Sequence, residues 1–92
     1  MFTRDRVVPL GYQQLTPLTT ATALTVPPGA QFCWMKCTGQ NVRWRDDGTN
    51  PTSTVGVLMQ TTDHAIWYAG KLSKLKFIQV SATATLDVLY YG

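Results

Sequence analysis

A single imidazole, His64, is all that this chain offers for proton transfer near neutral pH. Nucleophilic catalysis needs a nucleophile, a base and a third group that orients the base. His64 follows Asp63 and opens the run His-Ala-Ile-Trp-Tyr, which reads as a strand. Strand neighbours point to opposite faces, so Asp63 cannot orient His64, which reads as a polar residue at a turn edge. Asp46-Asp47 is a carboxylate pair in sequence, but it precedes Gly48. That run is turn chemistry, in which Asp bonds its own backbone. A calcium loop would need oxygens at more alternating positions. Cys33 and Cys37 are the only thiols. In extended chain they lie ~13 Å apart at ~3.3 Å per residue, whereas a disulfide needs Cα atoms within ~7 Å. They are also too far apart to chelate one ion by themselves. They read as free core thiols, which suits assembly in a reducing cytoplasm. The expectation is a chain with no catalytic residue, no metal site and no cofactor.

The residues that remain suit binding. In Arg43-Trp44-Arg45 the two arginines share one strand face and Trp44 takes the other. Such an arginine pair grips carboxylates on a partner protein, contacts phosphates, or pairs locally with Asp46 or Asp47. Trp34, Trp44, Trp67 and Tyr68 would suit a platform for sugar or bases if exposed. In a chain this small they are expected in the core. Tyr90-Tyr91 sends one ring to each face of the last strand, one into the core and Tyr91 to an exposed or interface position. Near the N-terminus, Phe2, Val7, Val8 and Leu10 do not alternate as a core strand should. Arg4 and Arg6 lie between them and Pro9 follows. Residues 1–11 therefore read as an extended arm, with Phe2, Arg4, Arg6, Val7 and Val8 as partner contacts, joined on the body by Arg43, Arg45 and Tyr91.

These residues must be positioned by strands. Thr occurs fourteen times, Glu never, and charged residues make up 14% of the chain, against a typical ~25%. That composition favours strands over helices, and sparse charge suggests a surface partly covered by something other than water. The net charge of +3 is weaker and less clustered than a nucleic-acid binder usually carries, so nucleic acid is not expected as a partner. No stretch approaches the ~20 apolar residues of a membrane span, and no apolar run near the N-terminus is long enough for a signal peptide.

Strand signals run through 12–18, broken by Pro17, then 20–26, 31–38, 41–46, 55–60, 64–68, 74–80 and 86–91, punctuated by Pro27-Pro28-Gly29, Gly39-Gln40-Asn41, Asp47-Gly48 and Thr61-Thr62-Asp63. The run 31–38 is apolar on both faces, which predicts a strand covered on both sides. Lys71–Lys76 could make a single helical turn. With about eight short strands at regular spacing, the expected fold is all-β: a small jelly-roll-like β-sandwich over 12–92, preceded by the arm at 1–11.

Two segments together, QNVRWRDDGTNPTSTVG (40–56) and KLKFIQVSATATLDVLYY (74–91), resemble a pattern in small structural proteins of tailed bacteriophages. The pattern is an aromatic–Arg strand, an Asp-Gly turn, a Pro-Thr loop, a Lys/Arg-Phe-Ile strand and a last strand ending in Tyr-Tyr. The resemblance implies a virion β-protein assembled in the host bacterial cytoplasm, with no catalytic residues to carry over. Within that class the reading is a capsid decoration (cement) protein that binds the major capsid protein and forms a homo-oligomer, a trimer by preference. The alternatives are a tail, collar or fibre-associated subunit and a carbohydrate-binding β-sandwich. A sugar binder should expose aromatics beside Asp or Asn.

Overall fold

The structure, a computed structural model, describes residues 8–92. Eight strands follow one another: β1 (Pro9–Leu15), β2 (Thr22–Ala23), β3 (Phe32–Thr38), β4 (Val42–Arg45), β5 (Val57–Met59), β6 (Ile66–Ala69), β7 (Lys76–Gln79) and β8 (Thr85–Tyr91). They form two four-stranded sheets, in the orders β1-β8-β3-β6 and β2-β7-β4-β5. Every pairing is antiparallel. One 3₁₀ turn, Leu72–Lys74, is the only helical element among the described residues and falls where a single turn is expected.

Alternation makes the core. In β8, Leu86, Val88 and Tyr90 are buried while Thr85, Asp87, Leu89 and Tyr91 face the other way. In β3, Cys33, Met35 and Cys37 are fully buried. Val42, Met59 and Phe77 from the second sheet join the same buried cluster. Each such side chain contributes about 1.5–3 kcal/mol on leaving water.

Two glutamines satisfy polar groups that reach into this interior, whereas the Trp44 Nε1–H is buried without a hydrogen-bond partner among the described residues. Tyr90 Oη donates to Gln13 Oε1, which also accepts from the Thr25 backbone N–H at 3.0 Å. Gln79 Oε1 accepts from the Ala84 N–H at 3.1 Å and the Leu18 N–H at 3.4 Å. Between β3 and β4, Gly39 has φ +82°, and a Cβ there would lie 2.7 Å from the Thr83 carbonyl oxygen. Only glycine fits that turn.

The elements are shorter than the sequence suggests. The 20–26 run yields only the two-residue β2, and the 55–60 run only three paired residues. Conversely, β1 begins at Pro9, inside the segment read as an arm. Val8 and Gly92 exchange two backbone hydrogen bonds of 2.8 and 2.9 Å beside it. Residues 1–7, including Phe2, Arg4, Arg6 and Val7, lie outside the described residues.

One expectation is corrected. The outer side of β3 is not covered by a second layer: Trp34 is 37% exposed and Trp67 on β6 61% exposed. Of the three tryptophans only Trp44 turns inward, meeting Tyr68 edge-on at 5.9 Å. An apolar run carries no label saying which of its faces a second sheet will cover.

Candidate functional site

The strand register assembles an aromatic surface on the outer face of the first sheet. Tyr12 of β1 stands opposite Leu89 of β8, Leu89 opposite Trp34 of β3, and Trp34 opposite Trp67 of β6. These four residues form one row across the sheet, ~14 Å wide at ~4.8 Å per strand. A second row, Pro9, Tyr91, Phe32 and Ala69, lies beside it. The rings touch. Trp34 and Trp67 have centroids 6.4 Å apart and tilted by 53°, and Trp67 and Tyr91 are 5.2 Å apart at 39°. Tilted contacts of this kind hold the rings rigidly at little entropy cost.

The next row is polar: Gln14, Asp87 and Lys36. Its groups are occupied within the chain. Asp87 Oδ1 accepts from Tyr12 Oη at 2.6 Å and from Gln14 Nε2 at 3.0 Å. Donating to that carboxylate pushes the Tyr12 phenol above its ordinary range, because losing the proton would set two negative charges together. Lys36 Nζ donates to the carbonyls of Cys37 and Thr61. The face is thus an apolar, aromatic sector bordered by a self-satisfied polar edge.

The sequence-derived contact residues divide. Tyr91 sits at the aromatic end of this face, packed on Trp67, whereas Val8 is exposed and pairs its backbone with Gly92. Arg43 and Arg45 lie on the second sheet, and both turn to their own chain. Arg43 donates from Nε to the Ser53 carbonyl at 3.2 Å and from Nη1 to the Gly56 carbonyl at 2.9 Å, pinning the 46–56 loop. Arg45 forms a two-point ion pair with Asp47. That pairing, with the Thr49 N–H, draws the Asp47 carboxyl down to about 2. Of the readings the arginine pair allowed, Arg45 displays the local pairing with Asp47, while Arg43 bonds loop carbonyls instead of a carboxylate. Asp46 accepts from Tyr68 Oη, which pushes that phenol up to about 12.

The sequence placed Trp34 and Trp67 in the core, and the structure corrects that, since both are exposed; Tyr12 was not singled out at all. A signal for two of them existed: each Trp alternates with inward-facing residues, Cys33 and Met35, buried in β3, and Ile66 and Tyr68, half-buried in β6.

The titratable residues are scattered. His64 is exposed. Cys33 and Cys37 are free and buried. Burial pushes the Cys33 thiol up to about 11, and Cys37 Sγ donates to the Met59 carbonyl at 3.4 Å. Among the described residues, no three His, Cys, Asp or Glu gather as metal ligands, and no helix is long and apolar enough to cross a membrane. Comparison with models of known protein families, with curated proteins and with solved structures found no match to this chain.

Proposed function

We propose that this chain is a non-enzymatic structural protein of a tailed-phage virion, a capsid decoration protein that seats the aromatic face of its first sheet on the shell. The observation that carries the reading is the row Tyr12–Leu89–Trp34–Trp67 with Tyr91 beside it. Trp and Tyr dominate the energetics of protein interfaces when they are preorganised and can be desolvated together. The strand orders 1-8-3-6 and 2-7-4-5 support reading the two sheets as a jelly-roll sandwich, an architecture that capsid proteins and lectins share. The phage-like pattern at 40–56 and 74–91 supports the virion over other settings.

The alternative with a specific observation behind it is a carbohydrate module, since Asp87 lies beside the rings. Two features weigh against it. The rings lean on one another at 39–53° rather than offering parallel faces, and Asp87 and Lys36 already spend their hydrogen bonds within the chain.

The test adds the purified chain to particles that lack it and measures copies bound per particle. Binding in hundreds of copies supports decoration, and a dozen or fewer points to portal, collar or tail. Trp67→Ala, truncating an interface anchor, should cost at least about 2 kcal/mol, or about thirtyfold in Kd. Unchanged occupancy, or binding to polysaccharide abolished by Trp67→Ala, would defeat the reading.

A further inference from the structure

Both sheets end, on one flank of the molecule, in a strand whose outer edge pairs with nothing among the described residues: β6 in the first sheet and β5 in the second. Residues 60–65 join these two strands. Trp44 of β4, the strand next to β5, meets Tyr68 of β6, so the two edges lie on the same side.

The opposite flank is guarded. There β1 opens with Pro9, which has no N–H, and its ladder slips register between Pro9 and Gly11. Its neighbour β2 is only two residues long. Proline and irregular register are devices by which proteins keep an edge from recruiting another strand.

The β5/β6 flank has neither proline nor register slip within its strands. It carries four exposed large apolar residues, Val55, Val57, Leu58 and Trp67. Its strands lack charge: residues 51–62 and 64–70 contain no Asp, Glu, Lys or Arg, and Asp63, in the turn between them, accepts from the Gln60 N–H at 2.8 Å. The charges nearest to it are engaged, Arg45 with Asp47 and Asp46 with Tyr68.

We infer that this flank is a self-association surface, on which two copies pair β6 against β6 antiparallel about a two-fold axis. The open ladder of β6 asks for a strand, because only a strand meets a row of N–H and C=O groups in register. The strand that fits without charge conflict is β6 itself. Copies of a chain with net charge +3 repel one another over most of their surface. An uncharged edge laid against its twin puts no like charges opposite each other. A two-fold pairing is also the commonest closed arrangement.

The two first sheets then become one continuous sheet. The Trp67 rings of both copies meet on its outer face, and the β5 edges with Val55, Val57 and Leu58 are brought toward each other beneath. The result is a two-fold pair rather than the trimer expected of a cement protein, and it stands independently of the virion reading.

Sedimentation equilibrium of the full chain over a concentration series tests this. The wild type should reach twice the chain mass. Ala69→Lys on β6 and Val57→Lys on β5 each place a charge at an exposed edge position, and each should weaken the dimer at least tenfold. Thr19→Lys, an exposed position between β1 and β2, should leave it unchanged. Circular dichroism and melting of each variant establish that it folds. Amide exchange in the wild type gives a readout without mutation, since exchange at 66–69 should slow as concentration rises. A wild type that stays monomeric, a trimer, or a dimer that both Lys variants leave intact overturns the inference. So does a free chain that associates only when capsid shells are added.

Discussion

Truncating Trp67 and truncating Phe77 should have very different consequences for the fold, and the contrast follows from exposure. Trp67 is 61% exposed, so about two-fifths of a ~250 Å² side chain is covered, roughly 100 Å². At ~25 cal/mol per Å² that is about 2.5 kcal/mol. The figure is an upper bound, because the unfolded chain already covers part of this surface. Trp67→Ala is therefore expected to cost about 1–2 kcal/mol of folding stability. Phe77 is fully buried in the core cluster, and Phe→Ala at such a site costs about 3–5 kcal/mol. In a domain of this size 1 kcal/mol moves the melting temperature by roughly 4–8 °C. Phe77→Ala should then melt far below wild type, while Trp67→Ala remains folded at room temperature. The assay is thermal and urea denaturation followed by far-UV circular dichroism, with acrylamide quenching of tryptophan fluorescence on the native proteins. Loss of Trp67 should remove a readily quenched component. If Trp67→Ala destabilises as much as Phe77→Ala, or the native tryptophans resist quenching, the aromatic face is covered and cannot serve as a docking surface.

Three further outcomes are expected. Burial holds the Cys33 thiol up at about 11 and the Tyr90 phenol up at about 12, and the bond to Asp46 holds Tyr68 at about 12. The unfolded chain releases these protons first as pH rises, so the stability they supply is complete below pH ~8.5 and is lost progressively up to pH ~12; a melting temperature that stays flat from pH 8 to 11 would contradict this. Gly39→Ala should lower the urea midpoint by the equivalent of at least about 1–2 kcal/mol, the cost of a left-handed backbone for a residue with a Cβ, and the Thr83 contact adds to it; a neutral result would show that the turn has another conformation. Deleting residues 1–7 spares the Val8–Gly92 pairing and all of β1, so the melting temperature should hold within a few degrees, while occupancy on particles falls if Phe2, Arg4, Arg6 and Val7 are contacts; full occupancy would remove them from the interface.

What was legible in the sequence is what alternation and turn chemistry encode locally. Thr-rich, β-branched runs between Pro-Pro-Gly, Asp-Gly and Gly-Gln-Asn breaks dictate strands, and period-two spacing tells that Cys33, Met35 and Cys37 share a face. The same spacing sends Tyr90 and Tyr91 to opposite faces, as observed. The Asp46-Asp47-Gly48 turn was also readable, because Asp bonds its own neighbouring backbone, as Asp47 does to Thr49.

Facts that depend on strand order were not legible. Whether Trp34 is covered is decided by where the second sheet lies, and no residue near position 34 records that. The aromatic row joins residues from β1, β3, β6 and β8, brought side by side only by pairing over long sequence separations. The same holds for Gln13 with Tyr90 and Gln79 with Leu18, 77 and 61 residues apart. Which strands are edges is likewise a property of the whole sheet: only the order β1-β8-β3-β6 leaves the ladder of β6 open beside an exposed tryptophan. Side-chain direction along a strand follows from backbone geometry alone, whereas the neighbour a side chain meets follows from the global fold.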